Sequence, residues 1–194
     1  IDVIEEYTRP ERMMINSKIV TKPALSEIEI LDILDVGKLE AFNTDGLRSL
    51  LSTMSHIPNM KEKTLRYPGH AQLMQSLLDQ GLFNKDRIQE TSNNLFKDWK
   101  LGKNEKEFTV LDISIYSTAK NIHYHLYDEF NDNTQSSSMA RTTGYTATAT
   151  INMLANNLWD KKGVHPPENV GSSKKCIDFL FKYFLDRNIS LSVL

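Results

Sequence analysis

Lys63-Thr64-Leu65-Arg66-Tyr67-Pro68-Gly69-His70 is the stretch on which the fold assignment turns. Its first half reads as extended chain, because Tyr67 precedes a proline and that position is pushed out of the helical region. Its second half opens a helix: Pro68-Gly69 starts it, and Leu73, Leu77 and Leu78 give it an apolar face. Gly81 then takes the left-handed position that ends such a helix. A strand that runs straight into a helix, with polar side chains at the junction, is where α/β proteins place ligand sites.

Working outward, Met13-Met14-Ile15 and Ile19-Val20 flank Asn16-Ser17-Lys18 as the arms and turn of a hairpin. After the break at Pro23, Ile28, Ile30 and Ile33 recur with nearly the alternation of a half-buried strand. A short strand over Leu39–Phe42 leads into Asn43-Thr44-Asp45-Gly46, where Thr44 or Asp45 would cap a helix over Leu47–Met54. The opening Ile1-Asp2-Val3-Ile4 reads as strand or linker, with Asp2, Glu5 and Glu6 solvated. Downstream, Asn84 caps a helix whose stripe is Ile88, Leu95, Phe96 and Trp99. Phe108, Val110, Ile113 and Ile115 mark a strand, and Ile122, Tyr124 and Leu126 its hairpin partner. Beyond the polar loop Asn131–Ser138, one helix runs from near Ser138 to about Leu158 and a last amphipathic one covers Ser173–Asp186. This order predicts an α+β (mixed α/β) domain over residues 1–194, with helices packed on one face of a largely antiparallel sheet.

Composition excludes several classes. A chain of 194 residues, 40% hydrophobic and 25% charged, can bury a sizeable core. A net charge of −2 leaves no basic footprint for displacing counterions, so no nucleic-acid partner is expected. Cys176 is the one cysteine, which rules out an intrachain disulfide and a C-x-x-C site; its apolar surroundings in sequence make it a core residue. Short apolar runs and no recognisable signal peptide lead to an expectation of no membrane and a reducing cytoplasm. There is no G-x-G-x-x-G and no P-loop among the eight scattered glycines. A dinucleotide site needs such glycines for close backbone approach, so a Rossmann domain is expected outside this chain. The start at Ile1 rather than methionine fits a piece of a longer, two-domain protein. His123 and His125 point the same way on a strand, as two metal ligands would. With no third ligand evident and Asp128 on the other side of a regular strand, no metal is expected.

Two further stretches join the opening one: Phe42-Asn43-Thr44-Asp45-Gly46-Leu47-Arg48-Ser49-Leu50-Leu51 and Ser138-Met139-Ala140-Arg141-Thr142-Thr143-Gly144-Tyr145. In this order the three resemble the C-terminal domain of the saccharopine dehydrogenase family, in its lysine dehydrogenase-like branch. The likeness runs from about Tyr7 through Val164-His165-Pro166-Pro167-Glu168. The resemblance implies a substrate-binding and dimerisation domain of the glyceraldehyde-3-phosphate-dehydrogenase C-terminal type. It implies NAD or NADP bound mainly by a separate Rossmann domain, and a homodimer. It also implies hydride transfer from the amine-bearing carbon of an amino acid such as lysine or saccharopine, with little activity expected of this part alone. The alternative is a non-catalytic dimerisation or binding module of the same fold.

The candidate residues each carry a second reading. Arg66 suits a substrate carboxylate, gripped by two parallel hydrogen bonds, or an ion pair with an acid of its own domain. Tyr67 would orient substrate, or pack beside Pro68. His70, at a helix start that lowers its pKa, is the candidate catalytic base, or a polar residue at a helix end. Thr44, Asp45 and Arg48 would reach the substrate from the end of a strand, against helix capping and a surface pairing. Arg141, Thr142 and Thr143 would hold a carboxylate or cofactor phosphate, against capping and packing at the dimer contact.

Overall fold

The computed structural model describes residues 2–102 and 105–194. Backbone contacts divide the chain into two units, Ile1–Lys100 and Leu101–Leu194. Each is built on antiparallel sheets, as the alternating strands and turns of the sequence predict.

In the first unit, Asn16 and Ser17 both take positive φ (48° and 62°), the geometry of a two-residue turn that matches strand twist. They join β1 (Glu11–Ile15) to β2 (Lys18–Lys22). A second sheet orders β3 (Glu29–Ile33), β4 (Gly37–Asn43) and β5 (Lys63–Arg66) as an antiparallel meander. The expected alternation holds only at one end: Ile33 of β3 is buried, whereas Ile30 of β3 and Ile28 just before it are exposed. The chain start is a helix, α1 (Asp2–Thr8), and not the expected strand or linker. Ile4 and Tyr7, three apart, are both fully buried, and that contact with the domain selects the helix.

Past β4, α2 is short (Leu50–Thr53) with Ser49 at its N-cap position, so Thr44 and Asp45 do not cap it. Helix α3 (His70–Asp79) follows β5 as read, with Gly69 at φ 95° before it and Gly81 at φ 68° after it. Helix α4 (Ile88–Trp99) starts later than expected, with Arg87 and not Asn84 at its N-cap position. Asn84 serves instead through its carbonyl, which accepts from the amides of Arg87 and Ile88. Ile4, Tyr7, Phe42, Ala71, Met74 and Phe83 form the core, closed by the α4 residues Ile88, Leu95, Phe96 and Trp99. The core therefore clamps α1 against β4 and against α3, which His70 opens.

In the second unit, β6 (Phe108–Tyr116), β7 (Asn121–Glu129) and β8 (Leu191–Val193) form an antiparallel sheet in that order. Helices α5 (Ser138–Ala155), α6 (Pro167–Gly171) and α7 (Lys174–Leu185) complete it. The Ser137 hydroxyl caps α5 by accepting from the Ala140 amide at 3.1 Å. Cys176 is buried with Ala149 and Met153 between α5 and α7, the core role its sequence setting predicts.

Candidate functional site

Arg66 ends β5 and His70 opens α3, so the turn between them sets both side chains against α1. Two consecutive α1 residues meet them. Arg66 Nη2 donates to both carboxylate oxygens of Glu6, at 3.1 and 3.0 Å, and Nη1 donates to the Leu65 carbonyl at 2.8 Å. Tyr7, 1% exposed, places its hydroxyl 3.0 Å from His70 Nε2. The His70 ring lies 5.4 Å from that of Tyr7 and 5.6 Å from that of Trp99. Burial, reinforced by the Arg66 cation, lowers the His70 pKa, so the imidazole is neutral at pH 7. Burial raises that of the Tyr7 hydroxyl, which stays protonated. Tyr67, 66% exposed, stands away from the core.

The α3 N-terminus has no capping side chain of its own, because Gly69 occupies that position. Glu40 of β4 supplies the acceptor: its carboxylate takes the Ala71 amide at 2.6 Å and the Gly69 amide at 3.4 Å. A carboxylate there also meets the positive end of the helix dipole. Glu6, Tyr7 and Glu40 are absent from the sequence reading of the site. Each acts through a partner 29–63 positions away, and no local pattern signals such a pairing.

A polar cleft of about 350 Å³ lies alongside, lined by Glu5, Glu6 and Arg9 of α1, the loop carrying Thr44, Asp45, Gly46 and Arg48, and Glu62 with Thr64. Arg12 holds Asp45 through its amide at 3.1 Å, Nε at 3.0 Å and Nη2 at 2.9 Å, while Arg48 Nη1 lies 3.6 Å off. Burial opposes the ionisation of Asp45, but its arginine partners outweigh burial and its pKa falls below the ordinary value. Glu62 is the opposite case: burial raises its pKa although the Thr44 hydroxyl (2.5 Å) and the Gly46 amide (3.1 Å) donate to it. A Cβ at position 46 would overlap the Glu62 carboxylate, so glycine is what lets that amide approach. Thr44, Asp45 and Arg48 thus share one cleft, and Arg66 is joined to it through Glu6.

Arg141, Thr142 and Thr143 stand in the other unit. Arg141, 4% exposed, donates from Nε to both oxygens of Asp128 (3.2 and 3.1 Å), from Nη2 to Asp128 (3.0 Å) and from Nη2 to the Arg187 carbonyl (3.0 Å). The Thr142 hydroxyl donates back to the Ser138 carbonyl at 2.9 Å, and Thr143 is exposed on α5. His123 Nε2 and His125 Nδ1 both meet one oxygen of Asp112, at 3.1 and 2.7 Å. Among the described residues, no group of three histidine, cysteine or acidic side chains has the geometry to hold a metal. Among them, too, no helix is long and apolar enough to cross a membrane. The three sheets are antiparallel, so the described residues offer no parallel βαβ turn to cradle a dinucleotide, and they do not fit one.

The first unit thus carries a mixed-charge cleft beside a strand–helix junction, within an antiparallel mixed α/β fold. The family model for the saccharopine dehydrogenase C-terminal domain matches residues 1–186, and the chain belongs to that family. Membership makes it an oxidoreductase-associated domain. Among solved structures, it is similar in fold to apo saccharopine dehydrogenase (L-Glu forming) from Saccharomyces cerevisiae, with 14% identity and a TM-score of 0.69. That match covers 99% of this chain and 60% of the yeast chain.

Proposed function

We propose that this chain binds the substrate of an NAD(P)-dependent dehydrogenase acting at the amine-bearing carbon of an amino acid such as lysine or saccharopine. The observation that carries the reading is the cleft: it sets carboxylates (Glu5, Glu6, Asp45, Glu62) and guanidiniums (Arg9, Arg48) around one small volume. An amino acid presents a carboxylate and an ammonium a few ångströms apart and needs both signs. Arg48 is the better carboxylate ligand, since its side chain is 59% exposed and only loosely held by Asp45. Arg66 is gripped by Glu6, so a substrate carboxylate would have to displace Glu6 to reach it. Thr44 lines the cleft, Tyr67 is exposed just past Arg66, and neutral His70 is a hydrogen-bonding group at the start of α3. Arg141 and Thr142 are left to hold α5 in place, and the nicotinamide cofactor is assigned to a separate domain.

Titration calorimetry with L-lysine and with saccharopine tests this. Binding is expected for one of them, weakened at least tenfold by Arg48→Ala with the melting temperature unchanged. Full affinity in Arg48→Ala, or no binding of either compound, sinks the assignment of this cleft.

The proposal includes a second copy of the chain. Leu111, Ile113 and Ile115 share one face of the β6–β7 hairpin, opposite Leu126, Tyr124 and Ile122, and all three are exposed (46%, 41% and 46%). A row of apolar side chains on an edge strand favours association. Sedimentation is expected to give a dimer that Ile113→Asp dissociates; a monomer of 22.3 kDa at high concentration removes this part of the reading.

A further inference from the structure

Two hydrogen-bonded pairs stand side by side across α1, β5 and α3: Arg66 with Glu6, and Tyr7 with His70. Arg66 donates to both carboxylate oxygens of Glu6. The Tyr7 hydroxyl has one proton to place. Tyr7 is 1% exposed, and the rings of Phe42 and Trp99 lie 6.0 and 6.3 Å from its own, so water does not take that proton. Leaving a buried donor unmatched is costly. Among the described residues the hydrogen-bond partner of the hydroxyl is His70 Nε2, at 3.0 Å, and only donation to it matches the buried proton.

We propose that Tyr7 is a positioning residue for His70: its hydroxyl donates to Nε2 and thereby fixes the imidazole with its hydrogen on Nδ1. Which ring nitrogen carries the proton is set by the partner of the other one. His70 therefore shows an incoming ligand an N–H donor at Nδ1, suited to a carboxylate or carbonyl oxygen, and holds back the lone pair that a general base needs. The buried Tyr7 hydroxyl stays protonated through the neutral range, so the donor direction does not reverse near pH 7. The tautomer stands on the geometry alone. Its use on an amino acid rests on the proposed function, with His70 as a donor to substrate rather than an acceptor of the amine proton.

The test is two-dimensional ¹H–¹⁵N multiple-bond NMR of the chain carrying ¹⁵N-labelled histidine, with no ligand added. The His70 signals are assigned by their loss in His70→Gln. At neutral pH the wild type is expected to show the Nδ1–H pattern. Tyr7→Phe, which keeps the ring and removes the hydroxyl, is expected to shift His70 toward the Nε2–H form that free histidine prefers in water. It should also raise the His70 pKa, because a bond that favoured the neutral ring is gone. A wild-type His70 in the Nε2–H form overturns the proposal without reference to any variant. An unchanged tautomer in a folded Tyr7→Phe overturns the role of Tyr7. Neither outcome depends on whether lysine or saccharopine binds, so failure here and failure of the proposed function are read separately.

Discussion

Arg66 and Arg141, one in each unit, both end up on a carboxylate, and the contrast between them separates a site from a scaffold. Arg66 meets Glu6 with side chains 36% and 22% exposed, beside a polar cleft. Arg141 meets Asp128 with side chains 4% and 5% exposed, and it also donates to the Arg187 backbone carbonyl. Pairing chemistry is the same in both. Water access differs, and with it the energy: a buried pair broken on one side leaves an unsolvated charge, whereas a half-exposed pair leaves a charge that water takes over.

The largest effect expected from this contrast is in the second unit. Arg141→Ala should destabilise the chain by about 3–5 kcal/mol, because Asp128 is left buried without its cation. Urea unfolding measures this. A loss under about 1 kcal/mol would erase the distinction between the two pairs.

A pH effect of somewhat smaller size comes from Glu11, at the start of β1. It is 1% exposed, and among the described residues neither of its carboxylate oxygens has a hydrogen-bond partner. Burial first, and the nearby Glu27 carboxylate second, push its pKa from 4.5 up to about 7. Between those values the unfolded chain has released a proton that the folded chain keeps, so stability falls as pH rises through this window and levels off above it. The expected loss is roughly 2–3 kcal/mol. Glu11→Gln should flatten it, as thermal melts at pH 5 and pH 8 would show; an equally steep slope in the variant would assign the dependence to other groups.

The smallest stability change is expected at Arg66. Arg66→Ala should cost about 1 kcal/mol or less, as partly exposed pairs do. If its melting curve moves as far as that of Arg141→Ala, Arg66 is scaffold too.

How far the sequence could be read depended on how local each decision was. The Asn16-Ser17 turn, the β5-to-α3 junction and the β6–β7 hairpin were legible, because turn residues, a proline and apolar spacing act over a few positions. Helix α1 was not: Asp2–Thr8 is too short to announce itself, and burial of Ile4 and Tyr7 against distant residues decides it. Asp45 looked like a helix cap and instead receives three donors from Arg12, 33 positions earlier. Asp128 lies across from Thr109 and under Arg141, while Asp112, unnoticed in sequence, holds both His123 and His125.

By itself the sequence determined the antiparallel mixed α/β class, the placement of polar residues at a strand–helix junction, the absence of a dinucleotide fingerprint and, through its three motif stretches, the family. Propensity, patterning and covalent geometry act along the chain, and so can be read along it. Only the tertiary structure decided which carboxylate each arginine holds, that α1 brings Glu6 and Tyr7 to Arg66 and His70, and that Arg141 is buried while Arg48 is open to solvent. Those outcomes depend on desolvation and on pairings across tens of residues, which exist only once the elements have packed.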